Sequence, residues 1–377
     1  MFLLLLTRNK NRMIMKKVTI IIGILCSTVF SCNHGDKYYN PDKILVDERV
    51  EYTDSIILSN GKELSNAVVG LYSIDNYIIL IQNNRDSVLR ITDMNNDSFV
   101  ASFGKIGRAR NEFQNIPQRA YCIKDEKGKP MLCIQENTCT KLVDIKNSVE
   151  TSNCVMSKVI KEKKDYFFDF TYHFSGKKCF NYKTVSYEDA RDAIYFTPMF
   201  YMEDSEVKWD IYPRIITPSF SNIVDCAYAM KVLVSPNGKH AVGIHHLIDM
   251  ITIFDFLNNE SIGIINPASY TLNDLENEFN ENNIKEKLIW YNTSGCATDN
   301  YFMVIKDGDF YRNVAHEDSE DGTSVINWYD WTGEKQSSYV LNKKLSYIAY
   351  DEKTSILYAI SNANKLYYYR LSVQKKP

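Results

Sequence analysis

The charged side chains best suited to binding chemistry lie in one segment, Phe103-Gly-Lys-Ile-Gly-Arg-Ala-Arg-Asn-Glu-Phe113. Arg108 and Arg110 stand two positions apart, and Glu112 follows at the same spacing. A guanidinium group presents a fork of N–H donors that matches a carboxylate or a phosphate. We therefore predict a binding site at Arg108, Arg110 and Glu112, with a solvated surface loop as the alternative interpretation.

Motifs that would carry catalysis are missing from the sequence. It contains neither a Gly-x-Ser-x-Gly nucleophile elbow nor an HExxH zinc motif. His245 and His246 with Asp249 come nearest to a metal site. Adjacent strand residues point to opposite faces, however, so both rings cannot turn towards one ion. The sequence predicts no catalytic residue, no metal site and no cofactor.

The N-terminal region has the layout of a secretory signal. Two lysines precede 13 mostly apolar residues, 18–30, and the run ends at Ser31-Cys32. Crossing a bilayer takes about 20 residues, so the run is short for a membrane span. A cysteine after a small residue resembles the bacterial lipobox, in which the thiol receives a diacylglyceryl group. We predict a signal peptide over residues 1–31, with Met15 as the alternative start, and lipidation at Cys32.

Charge and length limit the classes of function that the chain can have. Removal of the predicted signal leaves 346 of the 377 residues and changes the formal net charge from −3 to −8, because the signal holds five basic and no acidic residues. Such an acidic protein is a poor partner for nucleic acid, since affinity for phosphate backbones comes from lysine and arginine. Residues 32–43 are predicted to form a polar tether, and residues 44–377 the folded domain.

The cysteines do not form a zinc motif. Beyond Cys26 in the signal and the predicted lipid site, seven remain, at positions 122, 133, 139, 154, 179, 226 and 296. An odd number in an exported protein leaves at least one thiol unpaired. Cys133 and Cys139 flank a predicted turn and would face each other across a hairpin. The alternative, which we favour, is that they are small buried apolar side chains.

Short segments rich in Tyr, Phe, Ile and Val dominate the chain beyond the tether, separated by turns of Asn, Asp, Gly and Lys. Examples are 77–81, 250–256 and 365–371. This composition at period two is typical of β-strands. The strands recur in units of about 40–60 residues, and six units would fill the mature chain at about 58 residues each. The sequence predicts an all-β fold, a six-bladed β-propeller, with a two-domain β-sandwich protein as the alternative.

One insertion breaks the strand pattern. In residues 271–289, Leu272, Leu275 and Phe279 recur at helical spacing, with acidic residues early and lysines late, as the helix dipole favours. The pattern predicts a short helix or two between the fourth and fifth blades. The insertion would cover a sheet edge or dock a partner.

Two loops carry a resemblance to a known family. The segment from Gly104 to Phe113 is similar to the Gly-x-x-Gly-x-Gly-Pro-Gly-Glu-Phe loop of six-bladed, TolB-like or NHL-like propeller lipoproteins of Bacteroidetes. Gly104, Gly107, Glu112 and Phe113 keep that pattern, whereas residues 109–111 replace its Gly-Pro-Gly core. Residues 235–239, Ser-Pro-Asn-Gly-Lys, resemble the Ser-Pro-Asp-Gly-Lys turn of TolB-type blades. The resemblance implies a propeller and leaves its function open.

Together these observations predict an exported lipoprotein whose non-catalytic propeller binds a ligand or acts as an interaction scaffold at the cell envelope. Its expected partners are the membrane, through Cys32, and an envelope protein or a carbohydrate. The residues after Cys32 lack a dense acidic run, so we expect the periplasmic face of the outer membrane, with surface display as the alternative. The alternative function is a propeller glycosidase, lyase or lactonase with acids and a histidine around the central channel.

Overall fold

The protein is a six-bladed β-propeller. The structure, a computed structural model, describes residues 42–47, 52–53, 55–94, 98–117, 119–161, 170–174, 178–182, 195–196, 199–211, 214–215, 230–266, 289–310 and 321–371. None of the helices in these ranges is long and apolar enough to span a membrane. The prediction of an all-β propeller is confirmed.

The described residues form 29 strands and one α-helix. In chain order the strands are β1 (Lys43–Val46), β2 (Tyr52–Thr53), β3 (Ser55–Ile57), β4 (Lys62–Glu63), β5 (Val68–Ile74), β6 (Tyr77–Gln82), β7 (Leu89–Asp93), β8 (Ser98–Phe103), β9 (Ala120–Lys124), β10 (Pro130–Gln135), β11 (Cys139–Asp144), β12 (Met156–Lys161), β13 (Phe170–His173), β14 (Lys178–Tyr182), β15 (Tyr195–Phe196), β16 (Met199–Glu203), β17 (Glu206–Asp210), β18 (Arg214–Ile215), β19 (Met230–Val234), β20 (His240–His245), β21 (Met250–Asp255), β22 (Glu260–Ile265), β23 (Ile289–Ala297), β24 (Tyr301–Phe310), β25 (Ser324–Asp330), β26 (Lys335–Leu341), β27 (Leu345–Asp351), β28 (Ile356–Ser361) and β29 (Lys365–Leu371). The helix α1 is Ile145–Thr151.

Each blade is an antiparallel sheet of successive strands. Blade 1 is β5–β8, blade 2 is β9–β12, blade 3 is β13, β14, β16 and β17, blade 4 is β19–β22, blade 5 is β23–β26, and blade 6 is β27–β29 with β3. Strands β15 and β18 pair with each other in a separate small sheet. The first strands of blades 1, 2, 4, 5 and 6 lie innermost, where they line a common cavity.

The N-terminal strands complete the outer edges of three consecutive blades. Strand β1 pairs in parallel with β22 of blade 4, and β2 pairs in parallel with β26 of blade 5. Strands β3 and β4 pair antiparallel with β29, so the beginning of the chain supplies the outermost strand of blade 6. The ring is thus closed by hydrogen bonds between the two ends of the chain.

Apolar side chains fill the spaces between successive blades. Separate buried clusters join blades 1 and 2, blades 4 and 5, blades 5 and 6, and blades 6 and 1. Blade 3 meets blade 4 through aromatic rings, with the ring centre of Phe180 5.2 Å from that of Phe254 and Tyr201 stacked 4.9 Å from Phe256. Because a neighbour packs on each side, the middle strands β20 and β28 are buried at nearly every position rather than at alternate ones.

Connections between strands differ strongly between the two sides of the propeller. On one side, which we call the turn face, most are short turns such as 75–76, 235–239 and 352–355. On the opposite side, which we call the loop face, the last strand of one blade ends and the first strand of the next begins, as at the loop between β8 and β9. The helical residues predicted between blades 4 and 5, 271–288, lie outside the described part of the chain, and Ile289 begins β23.

Helix α1 lies on the turn face, between the last two strands of blade 2, and the sequence patterns did not indicate it. Asp144 caps its first turn by accepting a hydrogen bond from the Asn147 N–H at 3.1 Å. Ser152, in the left-handed conformation, ends it, and its N–H bonds the Val149 carbonyl at 3.2 Å. A seven-residue helix is too short to give a clear hydrophobic period.

Candidate functional site

The predicted binding residues Arg108, Arg110 and Glu112 lie together in the loop between β8 and β9, on the loop face. Both arginine side chains are exposed. Neither forms an ion pair or a side-chain hydrogen bond with a described residue. The structure therefore places two guanidinium groups without described partners on the same surface loop.

Glu112 has a different position from its two predicted partners. Its Oε2 accepts a hydrogen bond from the Ala109 N–H at 2.9 Å, which closes the loop on itself. Gly107 leaves the room for this carboxylate, because a Cβ at that position would lie 2.0 Å from Oε2. The glutamate thus shapes the loop that presents the arginines.

Phe113 anchors the loop between blades 1 and 2, where its ring is fully buried. Gly104 has a φ of +87°, and a Cβ there would lie 2.6 Å from the Phe113 ring. A positive φ and a close approach both favour glycine at this position. Two backbone hydrogen bonds hold the two ends of the loop together. The Gly107 N–H donates to the Phe113 carbonyl and the Phe113 N–H donates to the Lys105 carbonyl, each at 2.8 Å.

A buried ion pair supports the loop from below. Lys141 and Glu136 lie 2.7 Å apart with their side chains more than nine-tenths buried. Lys141 also donates to the Glu112 carbonyl at 2.6 Å, and Glu136 accepts from the Gln114 N–H at 2.7 Å. Beside this pair lies a surface cleft of about 410 Å³, which Arg108 and Gln114 help to line. A rigid support beneath the arginines is a favourable arrangement for recognition, because little loop entropy is lost on binding.

A second site, which the sequence did not indicate, lies at the propeller axis. A cavity of about 70 Å³ is lined by the innermost strands of five blades, which contribute Tyr72, Cys122, Lys231, Ser294 and Tyr347 among others. Several of these side chains are only half-buried, so the cavity remains in contact with solvent. Its walls combine apolar and aromatic surface with hydroxyl, thiol and ammonium groups, and small-molecule sites commonly join apolar surface to placed polar groups.

Lys231 is the charged residue among the described residues that line this cavity. Its Nζ donates to Ser294 Oγ at 2.8 Å and lies 5.4 Å from the centre of the Tyr347 ring. Burial disfavours the ammonium form and lowers the pKa of Lys231 to about 8. In the sequence, the one indication of an unusual role for Lys231 is its position inside the apolar strand Met-Lys-Val-Leu-Val, 230–234.

The groups around Lys231 are uncharged near neutral pH. Burial raises the pKa of Cys296 to about 12 and raises the pKa of the Tyr72 and Tyr347 hydroxyls. His246 has its pKa lowered by burial first and by the charge of Lys231 as well. The lysine therefore supplies the local positive charge without a neighbouring negative one.

An ion pair crosses the axis at the turn face. Lys124 at the end of β9 lies 2.6 Å from Asp299, which belongs to blade 5, three blades away. The Lys124 N–H also bonds the Pro236 carbonyl of blade 4 at 2.7 Å, and Asn237 donates to the Asp299 carbonyl at 3.3 Å. These contacts tie blades 2, 4 and 5 together at the turn face.

The histidine candidates point in different directions. His245 is buried and its Nε2 lies 3.1 Å from Thr252 Oγ1, whereas His246 Nδ1 lies 2.7 Å from the Asn292 carbonyl. Asp249 forms an ion pair with Lys306 at 2.7 Å. Within the described residues, no group of three His, Cys, Asp or Glu side chains could hold a metal ion.

The hairpin pairing considered for Cys133 and Cys139 is wrong. Strand register places Cys133 opposite Leu142, while the Cys139 carbonyl accepts from the Glu136 N–H at 2.8 Å. Both thiols are free and buried, in agreement with the alternative that they are small apolar groups. Cys226 and the predicted lipid site Cys32 lie outside the described residues.

The fold and the two sites define a propeller with a preformed axial cavity and an arginine-bearing loop on the loop face. Comparison with protein-family models and with curated proteins gave no match. The chain is similar in structure to a member of the DUF4221 family from Bacteroides vulgatus ATCC 8482, with a TM-score of 0.50 and 11% sequence identity, over 87% of this chain and 98% of that chain. At this identity the similarity concerns the fold alone.

Proposed function

We propose that the chain is an exported, lipid-anchored propeller that binds a ligand or a partner at the cell envelope and does not transform it. The observation that carries this proposal is the rigidly supported loop that presents Arg108 and Arg110 without described partners. Loops held by a rigid scaffold commonly carry the binding residues of a protein. The loop face is then the recognition surface, and an acidic protein or an acidic carbohydrate is the partner whose charge fits it.

Catalysis by a glycosidase would need two carboxyl groups facing the substrate. Two of the carboxylates described near the axis are already engaged. Asp299 pairs with Lys124, and Glu352 accepts from Asn300 Nδ2 at 2.8 Å. These contacts favour a binding role over the alternative of a propeller enzyme.

The anchor is part of the same proposal. The signal layout of residues 1–31 supports lipidation at Cys32, and the polar stretch to residue 43 supports a tether. The periplasmic side of the outer membrane is the proposed location, and membership of the TolB-like or NHL-like propeller lipoproteins is the proposed relationship. The chain enters the propeller at the turn face, where Asp42 bonds the Ser261 N–H at 2.7 Å.

Metabolic labelling with an alkyne fatty acid tests the anchor. The Cys32→Ala variant should lose the label, whereas Cys26→Ala, which removes a thiol within the signal, should keep it. Unchanged labelling of Cys32→Ala would refute lipidation. Protease treatment of intact cells then distinguishes the periplasmic location, which protects the protein, from surface display, which exposes it.

Photocrosslinking in living cells tests the recognition surface. A photoreactive residue replaces Arg110 on the loop face or, as a matched control, the exposed Lys127 in the β9–β10 turn of the turn face. The proposal expects a discrete adduct from position 110 that is absent at position 127 and reduced by Arg108→Ala. Equal adducts at both positions, or none at position 110, would count against a loop-face partner.

A further inference from the structure

Lys231 differs from four other poorly exposed lysines in its lack of a carboxylate. Lys141, Lys306, Lys335 and Lys344 each lie within 4.0 Å of an aspartate or glutamate. Among the described residues, no carboxylate lies within that distance of Lys231, whose hydrogen bond goes to the neutral Ser294 hydroxyl. Burying an ammonium group without a counter-charge lowers the stability of the fold. The presence of a lysine at position 231 is therefore better explained by ligand binding than by a contribution to stability.

We propose that the axial cavity binds a small carboxylate, with its oxygens accepting hydrogen bonds from Lys231 Nζ and Ser294 Oγ. An ammonium group has three donors, and one is used on Ser294, so two remain for the ligand. The aromatic faces of Tyr72 and Tyr347, which line the same cavity, would pack against the apolar part of the acid.

The size and charge of the cavity select the ligand class. A volume of about 70 Å³ suits an acid of a few heavy atoms, since a single buried water needs on the order of 10–15 Å³. A single cation balances one carboxylate charge. A phosphate, with about two charges, would need a second cation, and Lys231 is the one charged side chain in the described lining.

Binding should depend on pH because only the protonated lysine pairs with the acid. The titratable groups that line the cavity or act on Lys231 are Cys296, Tyr347, Tyr72, Tyr121, Cys122 and His246, and burial keeps each of them in its neutral form near pH 7. With the pKa of Lys231 at about 8, affinity for the acid should fall about tenfold between pH 7 and pH 9.

Isothermal titration of the full chain, purified in a non-ionic detergent, tests the inference with acetate and propionate against acetamide and propionamide. The acids should bind at least about tenfold more tightly than the amides, because the amides lack the charge. Lys231→Met should weaken acid binding by at least about tenfold. Lys343→Met is the matched control, since Lys343 also lies over a tyrosine ring, 5.7 Å from the centre of Tyr367, but does not line the cavity.

Acid binding that is absent, equal to amide binding or unchanged in Lys231→Met would overturn the inference. Should Lys231→Met fail to fold by circular dichroism, Ser294→Ala carries the test instead, and a several-fold loss of acid affinity is then expected. The inference deepens the proposed binding function by naming a ligand class. Its failure would show in titration of the purified protein, whereas failure of the loop-face proposal would show in cellular crosslinking.

Discussion

Replacement of Lys231 by methionine should stabilise the propeller at neutral pH, even though it removes a hydrogen bond to Ser294. Burial lowers the pKa of this lysine from 10.5 to about 8. Lowering a pKa by one corresponds to about 1.4 kcal/mol, so the buried ammonium costs about 3 kcal/mol of folding free energy at most. Loss of the hydrogen bond, about 1 kcal/mol, offsets part of that gain. We expect a net stabilisation of at most about 2 kcal/mol at pH 7.

The stabilisation should vanish as the pH rises. Below pH 8 the lysine is protonated in both the folded and the unfolded chain, so the full cost of burial applies. Between pH 8 and pH 10.5 the unfolded chain binds more protons, and wild-type stability therefore rises relative to the variant. Above that window the advantage of Lys231→Met is gone, and the lost hydrogen bond leaves the variant slightly less stable.

Urea unfolding followed by tryptophan fluorescence measures this difference at pH 7, 8, 9 and 10. Comparing the two proteins at each pH cancels the tyrosines and cysteines that titrate in both. A constant difference for Lys231→Met, or a variant less stable than wild type at pH 7, would refute the argument that the ammonium is buried without compensation.

The remaining predictions concern the loop and the closure of the ring. Gly104→Ala should destabilise the protein by about 1–3 kcal/mol and speed amide hydrogen exchange in the loop, because φ is +87° and Phe113 occupies the Cβ position. Asp47→Asn should cost about 2–3 kcal/mol in urea unfolding, since it removes the carboxylate that pairs with Lys335, a side chain only 10% exposed. The exposed Lys43–Glu260 pair is the control, and Glu260→Gln should change stability by less than about 1 kcal/mol. A cost for Glu260→Gln equal to that of Asp47→Asn would show that burial does not decide the effect.

The strands were predictable because their side chains are apolar and β-branched or aromatic, whichever face they occupy. The period-two pattern, however, applies poorly to the middle strands. His240–His245 is buried at five of six positions, since blades 3 and 5 cover both faces of blade 4. Local sequence thus identifies a strand, whereas its burial depends on the neighbours that the ring supplies.

The candidate sites were predictable only in part, because chemistry depends on which distant residues meet. The exposure of Arg108 and Arg110 could be predicted from the charged residues around them in the sequence. The hydrogen bond that Glu112 accepts from the backbone N–H three residues earlier could not, because the residue type alone does not reveal it. Apart from its apolar neighbours, nothing in the sequence of its own strand distinguishes Lys231 from a surface lysine. Its environment is formed by strands that begin at residues 68, 120, 289 and 345, and no local sequence pattern predicts that these strands meet.

The order of the N-terminal strands explains why the propeller needs them. An outer strand edge exposes unpaired backbone groups and invites association with other chains. Strands β1, β2 and β3 cover that edge on blades 4, 5 and 6 in turn, and side chains reinforce two of the pairings, Asp42 with Ser261 and Thr53 with Ser337 at 2.6 Å. Blade 6 has three strands of its own, so β3 is required to complete it, whereas blades 4 and 5 are already four-stranded without β1 and β2. Loss of β3 should therefore open the ring, and loss of β1 and β2 should expose two edges of a ring that stays closed.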